Sequence, residues 1–363
     1  MPHRYMKDVL RTLASSAALA VIGCSGDPGE VHLPPEPRFD FACRGADGGP
    51  PPLHPLVLAC TGLYGDEGEH WFSRALGNGV YAFDPGYHLW SDGMDKARFI
   101  YLPPGTAIDG RNPNEWKFPV GTKFWKEFSY RGKRIETRYL EKTPDGDWFR
   151  TTYRFDADES TAKELTSGEL HVPGTDHDSY EIPTQIDCGS CHVGRRDGIL
   201  GFEAIALSSE KATGLTFGLL KRLGLIENAP ERPLIVPGGA TERAALGYLH
   251  MNCGVACHNE NREAFAWWSG LHMRLEAEDL GSVIATNTWK TAVGVTSYSV
   301  APDRKHFFAR IAPGEPSKSA IPYRDAERET LLQMPPLATH VIDREGLAIV
   351  RKWIAEMAPA KEQ

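Results

Sequence analysis

The sequence predicts an α+β, multidomain protein: an antiparallel β-rich N-terminal domain followed by a mainly α-helical C-terminal domain. Period-two alternation dominates the first half. Phe124, Lys126, Phe128 and Tyr130 interleave with Trp125, Glu127 and Ser129, and Phe149, Thr151, Tyr153 and Phe155 interleave with Arg150, Thr152 and Arg154. Helical spacing replaces it later, at Ala245, Leu246 and Leu249 and again at Leu347, Val350, Ile354 and Met357. Pro230, Pro233 and Pro237-Gly238-Gly239 punctuate the chain between the two patterns. A length of 363 residues leaves room for two or three cores.

In chain order, Arg4, Lys7 and Arg11 precede an apolar run ending at Ile22, too short to remain as a membrane span. The run closes on Val21-Ile22-Gly23-Cys24, which is similar to a bacterial lipobox. Residues 1–23 therefore read as a lipoprotein signal peptide, and Cys24 as the acylated residue that anchors the protein. The competing reading is an ordinary signal peptide with Cys24 incidental. Ser25 follows the pattern of outer-membrane lipoproteins, facing the periplasm or the surface. Residues 24–66 form a Pro-rich tether (Pro28, Pro34, Pro35, Pro37) and a loop in which Cys43 and Cys60 are expected to pair in an oxidising compartment.

Residues 67–186 are the β-rich domain. Arg131-Gly132-Lys133 and Pro144-Asp145-Gly146 supply turns, and further strands are expected at 97–102, 170–172 and 180–182. The expected product is a meander with one buried face, in a small sandwich or barrel. Residues 187–239 should hold short helices broken by Gly214, Gly218 and Gly224. In residues 240–363, Thr241 and Asp343 are the expected N-caps of a first and a last helix, with Trp353 beside the apolar face of the last.

The chemistry is concentrated in Cys188-Gly189-Ser190-Cys191-His192, the pattern by which c-type haem is attached. Two thiols add to the porphyrin vinyl groups, and the adjacent histidine becomes an axial iron ligand. Cys253-Gly254-Val255-Ala256-Cys257-His258 repeats the pattern with one extra residue. Two covalent haems are therefore expected, with His192 and His258 as proximal ligands. Zinc held by the four cysteines and simple disulfides are the competing readings. Met334, before Pro335 and Pro336, is the expected sixth ligand at His258, against a gap-filling core methionine. For the iron at His192, Met94, Met251, Met273, His88, His250 and His272 are candidates, His250 standing out because its place near the second motif could bring the two porphyrins together, and an open sixth position is the alternative. Asp84, Asp92 and Asp95 more simply cap turns or pair with cations than form a carboxylate site.

With these residues in view, the chain resembles a family of exported bacterial dihaem c-type cytochromes. Trp90-Ser91-Asp92-Gly93, Leu102-Pro103-Pro104-Gly105-Thr106 and Phe118-Pro119-Val120-Gly121-Thr122 are similar to its β segment. Cys188–His192 with Leu200-Gly201-Phe202 is similar to its first haem site. Tyr248-Leu249-His250, Asn252-Cys253, Gln333-Met334-Pro335-Pro336 and Trp353-Ile354 are similar to its second, inside a cytochrome c-like domain. The resemblance implies haem binding and electron transfer with no fixed substrate. It departs in the three-residue spacer between Cys253 and Cys257.

A formal net charge of −8 without a basic stripe excludes a nucleic-acid partner. No Gly-rich phosphate loop, Gly-x-Ser-x-Gly elbow or His-Glu-x-x-His helix is present. Three functions remain compatible with the sequence. One is an electron carrier working with redox partner proteins of the cell envelope. Another is a peroxidase-like or small-molecule haem oxidoreductase with an open first iron. The last is a non-catalytic envelope binding lipoprotein.

Overall fold

Seven strands make the main sheet of this computed structural model, which describes residues 43, 55–65, 75–173, 175, 180–300 and 307–358. The expected signal peptide, Cys24 and the tether lie outside the described residues. Strands β1 (Val80–Asp84), β2 (Asp95–Tyr101), β4 (Lys123–Tyr130), β5 (Lys133–Lys142), β6 (Trp148–Phe155) and β7 (Ala162–Glu164) pair antiparallel. The order is β7-β6-β5-β4-β2-β1-β8, where β8 is Thr213–Gly214, contributed from beyond the first motif. Short β3 (Ile108–Asp109) pairs parallel with β9 (Ile226–Glu227).

Both faces of the sheet are covered, so the expectation of one buried face in a sandwich or barrel is corrected. Alternation sends Trp125, Tyr139, Tyr153 and Phe155 to one side, where they pack on Leu58, Leu63 and Tyr64. Phe83, Ile100, Phe124 and Trp148 pack on the other side, against Phe202, Phe217 and Leu220. The second layer there is made of helices rather than a second sheet. Its helices, Ala204–Ser208 and Phe217–Arg222, follow the first motif. Residues 170–172 and 180–182 do not become strands, although the amide of Val172 donates to the carbonyl of Tyr180 (3.0 Å) and Glu169 bridges Ile182.

The helical region begins with Ala240–Leu249. Its N-cap is Gly239, whose amide donates to Glu242 Oε2 at 2.7 Å, so Thr241 lies inside the helix and does not cap it. Asp343 does cap the last helix, Arg344–Glu356, accepting from the amide of Gly346 at 2.9 Å. Ala245, Leu246 and Leu249 share a core with Val350, Trp353, Ile354 and Met357. The architecture is thus mixed α+β with separate sheet and helix regions. Cys43 and Cys60 form a disulfide with Cα atoms 5.2 Å apart. Among the described residues no helix is long and apolar enough to cross a membrane.

Candidate functional site

Cys188–His192 is a single helical turn lying against the polar part of the sheet. Its entry is fixed by Gln185, whose amide donates to the carbonyl of Arg150 at 2.8 Å. Its exit is fixed by Asp197, which accepts from the Phe118 amide (3.0 Å), from Trp148 Nε1 (3.2 Å) and from Lys142 Nζ. His192 Nδ1 is bonded to the carbonyl of Gly198, which leaves Nε2 as the free ring nitrogen. Burial pushes the His192 pKa down to about 4, so its imidazole is neutral at ordinary pH. Burial also raises the pKa of both thiols, Cys188 and Cys191.

The second motif solves a geometrical problem. With one extra residue between its cysteines, a regular α-helical turn would swing Cys257 and His258 about 100° off their places. The chain instead winds a π-type turn over His250–Gly254. The amide of Val255 reaches the carbonyl of His250, and that of His258 reaches the carbonyl of Cys253, both at 2.8 Å and both spanning five residues. The histidine amide still closes on the first cysteine of its motif, because the wider turn absorbs the insertion. Gly254 permits it: a Cβ there would lie 2.3 Å from the backbone nitrogen of Arg274.

Cys253, Cys257 and His258 open into one cavity of about 220 Å³ together with Met334. Leu249, Leu271, Met273 and Ile321 give it an apolar lining, with Arg310, Arg324 and Asp325 at polar points. Phe265, Trp268 and Tyr298 border it and are exposed. Burial lowers the His258 pKa to about 4 and raises that of Cys257 to about 11. His258 Nδ1 lies 3.4 Å from Ser269 Oγ.

The two motifs abut. Gly194 meets the backbone of Ala256 so closely that a Cβ would lie 1.9 Å from its carbonyl oxygen. Asn261 donates to the carbonyl of Val193 at 3.1 Å, and Cys191 and Cys257 sense each other electrostatically. A loop of the β region clamps both. Glu115 pairs with Arg274 (2.6 Å) and Arg195 (3.8 Å), one arginine from behind each motif. Sequence reasoning missed this clamp, since neither arginine belongs to any motif.

Trp90-Ser91-Asp92-Gly93 proves to be a latch between segments distant in sequence. The Trp90 amide donates to Asn252 Oδ1 (2.7 Å), beside Cys253, and Trp90 Nε1 donates to the carbonyl of Val341 (2.9 Å). Asp92 accepts from the amides of His340 and Val341 at 3.0 Å. Asp84 pairs with Arg98 at 2.7 Å and with His88 at 3.2 Å.

The remaining ligand candidates are engaged elsewhere. His250 is fully buried, accepts from the Leu275 amide through Nδ1 (2.9 Å) and faces Glu203 through Nε2 (3.4 Å). Met94 packs with Phe128 and Tyr180, Met251 with Ala206 and Val255, and His272 faces Glu260 at 3.4 Å. Among the described residues, no group of three or more His, Cys, Asp or Glu side chains could hold a metal ion. No family model, curated protein or solved structure matches the chain.

Burial by itself would raise the Glu203 pKa, but His250 and Arg195 hold it down to about 2, from 4.5. Its contribution to stability is therefore complete above pH 4.5 and is lost as pH falls through about 2. The stability at stake is about 3 kcal/mol. Denaturant midpoints of the wild type should fall over that window, whereas Glu203→Gln should start lower and flatten there. Equal slopes would refute the pairing.

Proposed function

We propose that this chain is a c-type cytochrome with two covalent haems c, one on Cys188, Cys191 and His192 and one on Cys253, Cys257 and His258. It moves electrons between partners in the cell envelope, held to the membrane through Cys24. The observation that carries this reading is the cavity that unites Cys253, Cys257, His258 and Met334, residues up to 81 positions apart (334 − 253). Two thiols, a neutral imidazole and a thioether around an apolar space are the donor set of such a site. Residues 240–363 then form the cytochrome c-like unit, where Ala240–Leu249 and Arg344–Glu356 pack together beside the porphyrin site. The family resemblance drawn from the motifs belongs to the same proposal.

The bound group would supply reversible one-electron chemistry at iron. The chain's own residues do the rest. His192 offers Nε2 because Gly198 occupies Nδ1, and Met334 offers sulfur from a loop tied down by Asp92 and Trp90. The apolar lining excludes water and favours the less charged state. Contact between the motifs at Gly194 and Ala256 supports two attachment sites close enough to exchange electrons.

Protein exported through a competent cytochrome-maturation pathway should give two covalent haems per chain by pyridine haemochrome. His192→Ala and His258→Ala should each loosen one of them. A colourless wild type would reject the proposal, and unchanged haem content and iron ligation in His258→Ala would reject the second site.

A further inference from the structure

The middle of the sheet face beneath the first motif is lined with cations. Arg98, Lys126 and Arg138 stand directly opposite one another on β2, β4 and β5. Lys96 lies two residues along β2, and Arg150 extends from the same face of β6. Like charges in register across strands repel, and burial strengthens the repulsion. Few carboxylates answer them. Asp84 serves Arg98 at 2.7 Å, and Glu136 serves Arg138 at 2.8 Å while also accepting from Tyr180.

Lys126 is left over. Its ammonium has no hydrogen-bond or ion-pair partner among the described residues, only the face of Phe128 5.1 Å away. Surrounding protein and the neighbouring cations drive its pKa well down, yet part of the side chain borders open space. Arg150 reaches Asp147 (3.7 Å) and the carbonyl of Trp148 (3.1 Å) through Nη1, while its Nε is buried without a partner among the described residues. Lys96, with an amine donating to the carbonyl of Leu89 at 2.7 Å, is lowered to about 7 by burial and by Arg98 and Arg138. Such a row keeps its fold either by discharging its amines or by holding a counter-charge, and the two guanidinium groups at Arg98 and Arg138 cannot discharge. The row reaches the first motif at Gly198, where an added Cβ would lie 3.1 Å from Arg150 Nη2 and 3.3 Å from the carbonyl oxygen of His192.

We propose that Lys126, with Arg98, Arg138 and Arg150 around it, forms an anion site that takes a carboxylate or small oxyanion between the sheet and the Cys188–His192 turn. This chemistry has two sources: a carboxylate of the porphyrin tethered at Cys188 and Cys191, or a free oxyanion reaching that site. Only the first source rests on the haem proposal, so the two readings fail separately.

The test compares the exported full chain with Lys126→Met, which keeps the stem and removes the charge. Three quantities are read: haem per chain, thermal midpoint with and without inorganic phosphate or nitrite, and reduction potentials. If the anion is free, phosphate or nitrite raises the wild-type midpoint by about 2–4 °C and leaves Lys126→Met unmoved. If it is the tethered carboxylate, added anions change nothing. Lys126→Met then keeps two haems, melts lower and shifts one potential downward. The proposal is overturned if Lys126→Met melts higher than wild type, with potentials and anion response unchanged. That result would make Lys126 an uncompensated charge and nothing more. A haem count of zero removes the tethered source and leaves the phosphate and nitrite response to decide.

Discussion

Gly194→Ala should destabilise the protein by about 3 kcal/mol and, on the proposed function, weaken retention of both haems. The added methyl would sit 1.9 Å from the carbonyl oxygen of Ala256 and 2.6 Å from its carbonyl carbon. Those atoms are backbone, in the turn that directly follows the π-type turn His250–Gly254, so no side-chain rotation relieves the clash. The two motifs must separate or the turn must unwind, and overpacking of a rigid contact costs at the upper end of about 1–3 kcal/mol. The control is Gly189→Ala in the same motif. Nothing lies within 4 Å of a Cβ there, and alanine favours a helical turn. Denaturant midpoints should therefore drop for Gly194→Ala and hold or rise for Gly189→Ala. Matching midpoints in the two variants would show that the motifs do not bear on each other.

On the proposed function, the consequence reaches electron transfer. Contact at residues 194 and 256, with Cys191 and Cys257 near enough to interact, places the two attachment points side by side. On the proposed function, oxidation of one iron should then raise the potential of the other. Loosening the contact through Gly194→Ala should reduce that splitting as well as stability.

What could be read in the sequence follows from how local the signal is. The β4–β6 meander was legible because alternation and turns such as Arg131-Gly132-Lys133 act within a few residues. The cap at Asp343 was legible for the same reason. Burial of both faces was not, because it depends on Phe202 and Phe217 folding back from beyond the first motif. Thr241 misled because Gly239 with Glu242 satisfies the helix start two residues earlier. The site divides the same way. Motif spacing marks the cysteines and histidines, and Met-Pro-Pro marks Met334. The Glu115 clamp, the Asp92 latch and the cation row join residues whose proximity only tertiary structure creates. A partial signal did exist for the row. Lys126 sits between Trp125 and Phe128 in the aromatic-rich strand Lys123–Tyr130, an unusual place for charge.

On the proposed function, Met334→Ala should produce the largest spectroscopic change of any single substitution. Met334 shares a cavity with His258 and the two cysteines beside it, and its loop is held from several sides. Its amide donates to the carbonyl of Arg324 (3.0 Å), the Gln333 side chain donates to the carbonyls of Pro335 (3.1 Å) and Thr339 (2.7 Å), and Asp92 holds His340 and Val341. On the proposed function, a thioether so restrained would stay at the iron without an entropic cost on each redox cycle. Removing it should turn one of the two haems high-spin and lower its potential on the order of 0.1 V, a modest part of the roughly 0.8 V that axial ligands span. Asp92→Ala separates the ligand from its support. It leaves the sulfur in place but frees the loop, so a partial high-spin fraction that grows on warming is expected, and Asp92→Asn should restore the wild-type spectrum because an amide oxygen still accepts from both backbone donors. If Met334→Ala leaves the absorption and potential of both haems unaltered, the sulfur at position 334 is a packing group and the sixth ligand comes from elsewhere in the chain.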